Sequence, residues 1–326
     1  MKKLQKTLFI VLTIALLNLS AVAADFTFQA GHVLTEDHPY HIGLVEWAKR
    51  IKERTDGRIV INVFANSTLG NERDMIEALQ FGTLDITLPN SAPMANFTNA
   101  MKVFDLPFLF ENRDSVAKIL DGEIGAGILS SLDAIGVVGL AFWENGFRDI
   151  ANSKVQIRVP ADLKGLKIRT MENHIHMAAF RTWGADPTAM AWGEVYTALQ
   201  QGTIDGLENP ITPIYMNKMH EVAKIISATG HFYCPAPLLF SKITWDSLDA
   251  ADQKIIREAS VEVRDIQRRL CAEADGIYRE KMTKDGAVIV EDIDKSVWRA
   301  ASQPVYDQYA KEVGQDVLAK IREALQ

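Results

Sequence analysis

The sequence predicts an α/β fold of two domains, with mixed, mostly parallel sheets covered by helices. Three observations predict it. Strand and helix patterns alternate from the start of the mature chain, and a motif near residue 80 recurs near residue 200. The mature chain of about 300 residues is also longer than one hydrophobic core comfortably holds.

The N-terminus has the features of a secretory signal peptide over residues 1–23. Lys2, Lys3 and Lys6 precede an apolar run from Leu8 to Leu19, which is short for a membrane span. The sequence AVA at residues 21–23 matches the small-residue cleavage pattern, so the mature chain is predicted to begin with the next residue. An uncleaved anchor is the alternative. A compact, lysine-rich signal is typical of bacterial export, so we expect a soluble periplasmic protein.

Strands and helices alternate over the first ninety residues. A strand is predicted from Phe26 to Ala30, and apolar residues at helical spacing follow from Ile42 to Ile51. A β-branched strand runs from Arg58 to Phe64, and a further helix and strand follow in NERDMIEALQFG and TLDITL. This order is typical of parallel βαβ units.

The two predicted domains share an internal motif. ALQFGTLDITLPN at residues 78–90 matches ALQQGTIDGLEN at residues 198–209. A generic junction of helix, glycine and strand would look similar, and this is the alternative. If the motif is a true repeat, Asn90 and Asn209 lie at equivalent strand ends, where open α/β sheets bind ligands. Two such domains facing each other would leave a cleft between them.

The region from Leu248 to about Asp285 is strongly helical and contains no proline. At 1.5 Å per residue it would be roughly 50 Å long, more than the width of one small domain. Such a helix would brace both domains or break in two near Cys271. Further helix is predicted towards the C-terminus.

Charge and cysteine content exclude several classes of function. Signal cleavage removes three lysines and no acids, which takes the formal net charge from −7 to −10. A nucleic-acid-binding surface is therefore not expected, and a site for an anion must be built locally. Cys234 and Cys271 are the two cysteines in an oxidising compartment, and the sequence leaves open a disulfide or two buried thiols.

Catalytic and metal-binding motifs are not evident. The sequence has no nucleophile elbow, zincin motif, P-loop or pair of carboxylates with a distinctive spacing. His174 and His176 would share a face on a strand, as metal ligands do, but the segment is predicted to begin a helix. The cluster of His32, His38 and His41 has no acidic or thiol partner that completes a metal site. We therefore predict no catalytic residues, no metal and no cofactor.

A binding site for a carboxylate is better supported. NGFRDIANS contains Arg148, LKIRTMEN contains Arg169, and GLENP contains Asn209. Trp192 lies just before a predicted helix. An arginine can hold a carboxylate with two parallel hydrogen bonds, and an aromatic side chain can exclude water. Each arginine alone is more often part of a surface ion pair, but the group together predicts a carboxylate pocket.

Several ordered blocks resemble one family along nearly the whole mature chain. These are STLGNERDMIEALQFGTLDIT, VFDLPFLF, NGFRDIANS, DLKGLKIR, WGEVYTALQQGTIDGLENP and HEVAKII. The chain resembles the substrate-binding proteins of the tripartite ATP-independent periplasmic (TRAP) transporters, of the dicarboxylate- and sialate-binding type. The resemblance implies a periplasmic binding protein fold whose two domains close on an organic acid, with a long helix spanning both. Domain I would comprise residues 24–145 and about 234–273, and domain II residues 146–233 and about 274–326.

The resemblance also implies roles for individual residues. Arg169 would form the main salt bridge to the ligand carboxylate, with Arg148 and Asn209 assisting and Trp192 lining the pocket. Sialate binders carry an acid at the position of Asn90 and an amide shortly after the main arginine, so a sialate ligand is not expected. The complete set of predicted ligand-binding residues is Arg169, Arg148, Asn209, Trp192, Asn90, Trp143, Tyr215, His32 and Phe232.

The predicted function is a periplasmic solute receptor, a monomer that delivers an organic acid to the membrane permease of a TRAP transporter. An extracytoplasmic sensor partner and a periplasmic enzyme acting on a carboxylate are the alternatives. Aromatic residues near the expected cleft, including Tyr233, favour a ligand with apolar or extended bulk over a bare C4 diacid.

Overall fold

The structure is a computed structural model that describes residues 24–326. The predicted signal peptide, residues 1–23, lies outside the described residues. Within residues 24–326, no helix is both long enough and apolar enough to cross a membrane. Nine strands and fourteen α-helices alternate along this part of the chain, so the predicted α/β class is confirmed.

The strands and helices have the following bounds. The strands are β1 (Phe26–Gly31), β2 (Ile59–Phe64), β3 (Ile86–Thr87), β4 (Val137–Asn152), β5 (Lys167–Thr170), β6 (Asp186–Ala189), β7 (Gly206–Asn209), β8 (Ile225–Ser241) and β9 (Val288–Val290). The helices are α1 (Pro39–Arg54), α2 (Glu72–Phe81), α3 (Ser91–Met94), α4 (Arg113–Leu120), α5 (Glu123–Ser131), α6 (His174–Thr182), α7 (Val195–Gln200), α8 (Ile211–Met216), α9 (Met219–Val222), α10 (Lys242–Trp245), α11 (Ala250–Lys284), α12 (Lys295–Ala301), α13 (Gln303–Tyr309) and α14 (Gln315–Ala324). Short 3-10 helices are Asn99–Asp105, Leu132–Ile135, Pro160–Leu163 and Trp192–Glu194.

The strands form one mixed sheet. Its order is β2-β1-β3-β8-β4-β7-β5-β6, and β9 pairs with β8. Pairing is parallel among β1, β2 and β3 on one flank and among β5, β6 and β7 on the other. The central pairs β3–β8, β4–β8 and β4–β7 are antiparallel. We call residues 24–136 the first half of the molecule and residues 153–224 the second half.

Two long central strands join the halves. β4 and β8 have 16 and 17 residues, pair along their lengths, and are almost entirely buried. Shifts of register between Glu144 and Gly146 and between Arg148 and Ile150 mark irregularities in the pair, and such bulges bend a strand. The repeated motif predicted sheets in two separate domains. Because β4 and β8 reach both flanks, the strands instead form one continuous sheet.

The repeated motif has the same structure in both halves. Gly82 and Gly202 follow α2 and α7, and each has a φ of 69°, which only glycine adopts without steric cost. Asp85 and Asp205 precede β3 and β7. Each carboxylate accepts a hydrogen bond from a main-chain N–H of the neighbouring parallel strand, at 2.8 Å from β1 and 2.9 Å from β5. The two copies are therefore built by the same local interactions.

Helix α11 is continuous over 35 residues and does not break near Cys271. The Asp249 carboxylate caps its first turn. It packs against α1 of the first half and α8 of the second half, and also against β4 and β9. A Cβ atom at Gly43 of α1 would lie 2.8 Å from the Trp143 ring and 3.1 Å from Gln267 of α11. Glycine therefore permits the close approach of α1 to these neighbours.

The C-terminal helices contact both halves. Helix α13 packs against α6, whereas α14 packs against α4 and α5 of the first half. The sequence assigned residues 274–326 to domain II, and the position of α14 falls outside that assignment. The domain boundaries otherwise stay a prediction. Cys234 and Cys271 are buried free thiols.

Candidate functional site

A small cavity lies between the halves, at the carboxyl ends of β1, β3, β5 and β7. Strand ends of this kind are the usual ligand site of open α/β sheets. The space in it that water can occupy is about 10 Å³, roughly enough for one water molecule. Its lining residues are Val33, Leu34, Glu72, Asn90, Asn145, Arg148, Arg169, Met171, Trp192 and Asn209. Five of the residues predicted as ligand contacts are thus brought together: Arg169, Arg148, Asn209, Trp192 and Asn90.

Arg169 is a buried cation that forms no salt bridge with an acid within residues 24–326. Its Nε and Nη2 donate to the carbonyl oxygen of Met190 at 2.9 and 2.6 Å. Its Nη1 is buried and has no hydrogen-bond partner among the described residues. The guanidinium carbon lies 5.7 Å from the centroid of the Trp192 ring. Burial lowers the pKa of Arg169 to about 10, against the attraction of Glu208.

Arg148 is neutralised within the protein. Its Nε and Nη2 donate to the two carboxylate oxygens of Glu208, and Nη2 also donates to the Glu208 carbonyl at 2.7 Å. Its Nη1 donates to Oδ1 of Asn145 at 3.1 Å. Burial opposes both charges, but their pairing keeps the pKa of Glu208 well below its usual range and raises the pKa of Arg148. The guanidinium that remains available to an anion is that of Arg169.

Asn90 and Asn209 of the cavity wall differ in their hydrogen bonding. Oδ1 of Asn209 is buried and unpartnered within the described residues. Asn90 is held by the protein, because its Nδ2 donates to Glu72 at 2.9 Å and its Oδ1 accepts from the Tyr40 hydroxyl at 3.3 Å. Asn209 is therefore the freer of the two for contact with a ligand.

Glu72 is the charged residue among the five lining residues that the sequence analysis missed, which are Val33, Leu34, Glu72, Asn145 and Met171. It begins α2, and its Oε1 accepts hydrogen bonds from the main-chain N–H and the side chain of Asn90, at 2.7 and 2.9 Å. Burial raises its pKa, while these hydrogen bonds and the charge of Arg169 oppose the rise. An acid in the first turn of a helix is ordinarily explained by the helix dipole, so its sequence position gave no separate signal.

Trp143 and Phe232 do not line the cavity. The Trp143 ring lies against α1 and α11, and its Nε1 donates to the carbonyl of Ser260 at 3.1 Å. Phe232 stacks on His176 with ring centroids 3.9 Å apart. Both are fully buried core residues.

His32 and Tyr215 also make contacts elsewhere. Nε2 of His32 lies 3.1 Å from Nδ1 of His41, and burial and that neighbour lower the pKa of His32 to about 3. Tyr215 stacks between His220 and Tyr278, at centroid distances of 4.8 and 4.7 Å.

The aromatic residues expected around the cleft therefore belong mainly to other packing. Trp192 is the one of them that borders the cavity, so aromatic lining does not support the expected ligand with apolar or extended bulk. Among residues 24–326, no group of three or more His, Cys, Asp or Glu side chains is arranged to hold a metal ion. What the cavity offers is one available guanidinium, amide groups, a carboxylate and one aromatic wall.

Comparison with known proteins adds independent information. The sequence model of the family described as bacterial extracellular solute-binding protein, family 7, matches residues 30–312. A solute-binding protein of Verminephrobacter eiseniae is 40% identical over 305 residues, covering 94% of this chain and 91% of the relative. The 2,3-diketo-L-gulonate-binding periplasmic protein YiaO of Escherichia coli is 35% identical, covering 95% of each chain.

A solved structure is similar over nearly the whole fold. It is a TRAP periplasmic solute binding protein from Polaromonas sp. JS666 bound to D-erythronate. The TM-score is 0.89 at 39% identity, and the match covers 90% of this chain and 97% of that chain.

Proposed function

Because the chain belongs to family 7 of the bacterial extracellular solute-binding proteins, we propose that it is the periplasmic receptor of a TRAP-type importer. It captures a hydroxylated monocarboxylic acid between its two halves and delivers it to the membrane permease. It acts as a monomer, reaches the periplasm through residues 1–23, and performs no chemistry on the acid.

The observation that carries this proposal is the state of Arg169. A buried guanidinium without an acidic partner is costly, and here one of its nitrogens has no hydrogen-bond partner among the described residues. Met190 occupies the edge formed by Nε and Nη2, so a carboxylate would approach from Nη1. A ligand carboxylate there would satisfy both the charge and the unpaired donor.

The remaining lining residues favour hydroxyl groups on the same ligand. Glu72 and Asn209 provide oxygens that accept hydrogen bonds from a hydroxyl. A second carboxylate would meet Glu72 and would find no second cation, since Arg148 is already paired with Glu208. Like charges this close disfavour binding, so a bare C4 diacid fits this lining poorly.

Two of the relatives support the same class of ligand. Diketogulonate and erythronate, named for the relatives from Escherichia coli and Polaromonas, each carry one carboxylate on a chain bearing hydroxyl groups. Of the aromatic residues predicted near the cleft, Trp192 is the one that lines the cavity, which also agrees with a polar ligand.

The test is a comparison of matched ligands. Protein purified without refolding is first examined by native mass spectrometry for a retained acid. Thermal shift and calorimetry then compare D-erythronate, a six-carbon aldonate, succinate, and erythritol, which is the alcohol related to erythronate.

A hydroxylated monocarboxylate should bind best and erythritol should not bind measurably. Equal binding of erythritol would refute the carboxylate site, and preference for succinate would refute the ligand class.

A further inference from the structure

A buried polar cluster connects the two halves beside the cavity. Asp105 belongs to the first half, at the end of the 3-10 helix Asn99–Asp105. Asn173 and His176 belong to the second half, where Asn173 caps α6. Asp105 and His176 have no exposed surface, and Asn173 is 2% exposed. None of the three lines the cavity.

The contacts within this cluster cross from one half to the other. Nδ2 of Asn173 donates to Oδ2 of Asp105 at 2.7 Å and to the carbonyl of Ala92 at 3.0 Å. Oδ1 of Asp105 lies 3.3 Å from Nε2 of His176. Oδ1 of Asn173 accepts from the main-chain N–H groups of residues 175 and 176, which begin the helix. The Asp105 carboxylate therefore faces the positive end of the α6 dipole.

The cluster is attached to the strand that carries Arg169. Strand β5 ends at Thr170, Met171 lines the cavity, and Asn173 follows two residues later. Met171 also packs with Ala92 of the first half. The position of the turn between β5 and α6 is thus fixed partly by a carboxylate from the opposite half.

We infer that Asp105 is a positioning residue for ligand capture, whose contacts with Asn173 and His176 form when the halves close and thereby strengthen binding. The inference rests on the proposed function. Separation of the halves would return the carboxylate and the α6 N-terminus to water, where each is well solvated. The burial of these two groups against each other is therefore part of the free-energy difference between the closed and open states. A ligand that binds the closed state gains affinity from each net favourable contact made only in that state.

The inference separates two measurable quantities. A contact present only in the closed, ligand-bound form affects the dissociation constant and leaves the melting temperature of the ligand-free protein nearly unchanged. A contact present in both forms affects the melting temperature and leaves the dissociation constant unchanged. Asp105→Ala removes the acceptor of one Asn173 hydrogen bond and the carboxylate that lies beside His176 in the closed form. We expect about tenfold weaker binding of D-erythronate. Asp105→Asn, which keeps an acceptor for Asn173, should weaken binding about threefold.

The matched control is Asp252→Asn. Asp252 is equally buried and pairs with Arg58 through two hydrogen bonds, away from the contact between the halves. This variant should lower the melting temperature without ligand and keep the dissociation constant within twofold. The inference is overturned if Asp105→Ala, or Asp105→Asn should the alanine variant not fold, binds D-erythronate within twofold of wild type. If wild-type protein binds no carboxylate, the proposed function fails as well, so the two failures are distinguishable.

Discussion

At the scale of single residues, the buried arginines Arg148 and Arg169 differ in whether a carboxylate of the protein neutralises their charge. Arg148 is paired with Glu208 along one edge of its guanidinium, through Nε and Nη2. Arg169 instead donates to a carbonyl oxygen, and its Nη1 has no hydrogen-bond partner among the described residues. Arg148→Met leaves a buried carboxylate without its cation, which typically costs about 3–5 kcal/mol of stability. Arg169 forms no salt bridge among the described residues, so Arg169→Met should leave the ligand-free protein about as stable as wild type. Urea unfolding of both variants without ligand measures this difference. Equal destabilisation by the two substitutions would contradict it.

Sequence reasoning predicted Arg169, Asn209 and Trp192 as ligand contacts because each lies in a local motif, and all three line the cavity. It predicted an assisting role for Arg148, which lines the cavity, but did not reveal the pairing with Glu208, because that pairing joins residues 60 positions apart. Asn90 was identified without its partner Glu72 for the same reason. Trp143 and Phe232 were chosen for their aromatic character, but aromatic side chains are as common in cores as in pockets.

Asp149 gives the stability of the protein a specific dependence on pH. Burial raises the pKa of Asp149 to about 6, partly offset by Arg279 and by a hydrogen bond from Gly230. The unfolded value is about 3.9, so the folded state binds the proton more tightly. The stability from this group is therefore complete below about pH 4 and is lost as the pH rises through about 6.

The substitution Asp149→Asn removes this titration. The unfolding free energy of the variant minus that of wild type should increase by about 2–3 kcal/mol from pH 4 to pH 7.5. Asp292→Asn is the control, because a hydrogen bond from Arg158 lowers the pKa of that exposed carboxylate and its trend should be weak and opposite. Chemical denaturation at the two pH values measures both. A gain for Asp149→Asn that does not change with pH would show that its pKa is not raised.

At the scale of elements, α11 and the long strands set the distance between the two halves. Gly43 lets α1 approach the Trp143 ring, which leaves no room for a methyl group. Gly43→Ala should cost about 1–3 kcal/mol of stability through overpacking. Gly127 of α5 has open space where its Cβ would lie, so Gly127→Ala should stabilise by about 0.5–1 kcal/mol. Thermal or urea unfolding compares the two variants, and a stabilising Gly43→Ala would contradict this packing.

Elements with a strong local signal were predictable, and their assembly into one sheet was not. Helix α11 followed from a long helical pattern without proline, and the repeat followed from matching glycine and aspartate positions. The antiparallel pairing of β4 with β8 joins segments about ninety residues apart in sequence. This pairing depends on packing against strands and helices of both flanks. The pattern of apolar residues within β4 or β8 alone does not reveal it.

At the scale of the whole molecule, the two halves create a site that neither holds alone. The first half provides Glu72 and Asn90, the second provides Arg169, Trp192 and Asn209, and β4 contributes further groups. The division into halves was predictable from the repeat. The return of α14 to the first half was not, because a polar C-terminal helix can pack on either half without changing its own pattern.

The central claim is that Arg169 binds the carboxylate of the ligand, and calorimetric titration of Arg169→Lys tests it most directly. Lysine keeps the charge but lacks the planar fork, so directional hydrogen bonds are lost. Loss of such a buried charged contact costs roughly 2–5 kcal/mol, and each 1.4 kcal/mol is about tenfold in affinity. The variant should remain folded and should bind the best acid of the ligand comparison at least about thirtyfold more weakly than wild type. Affinity near that of wild type would mean that Arg169 serves the structure and that the carboxylate binds elsewhere.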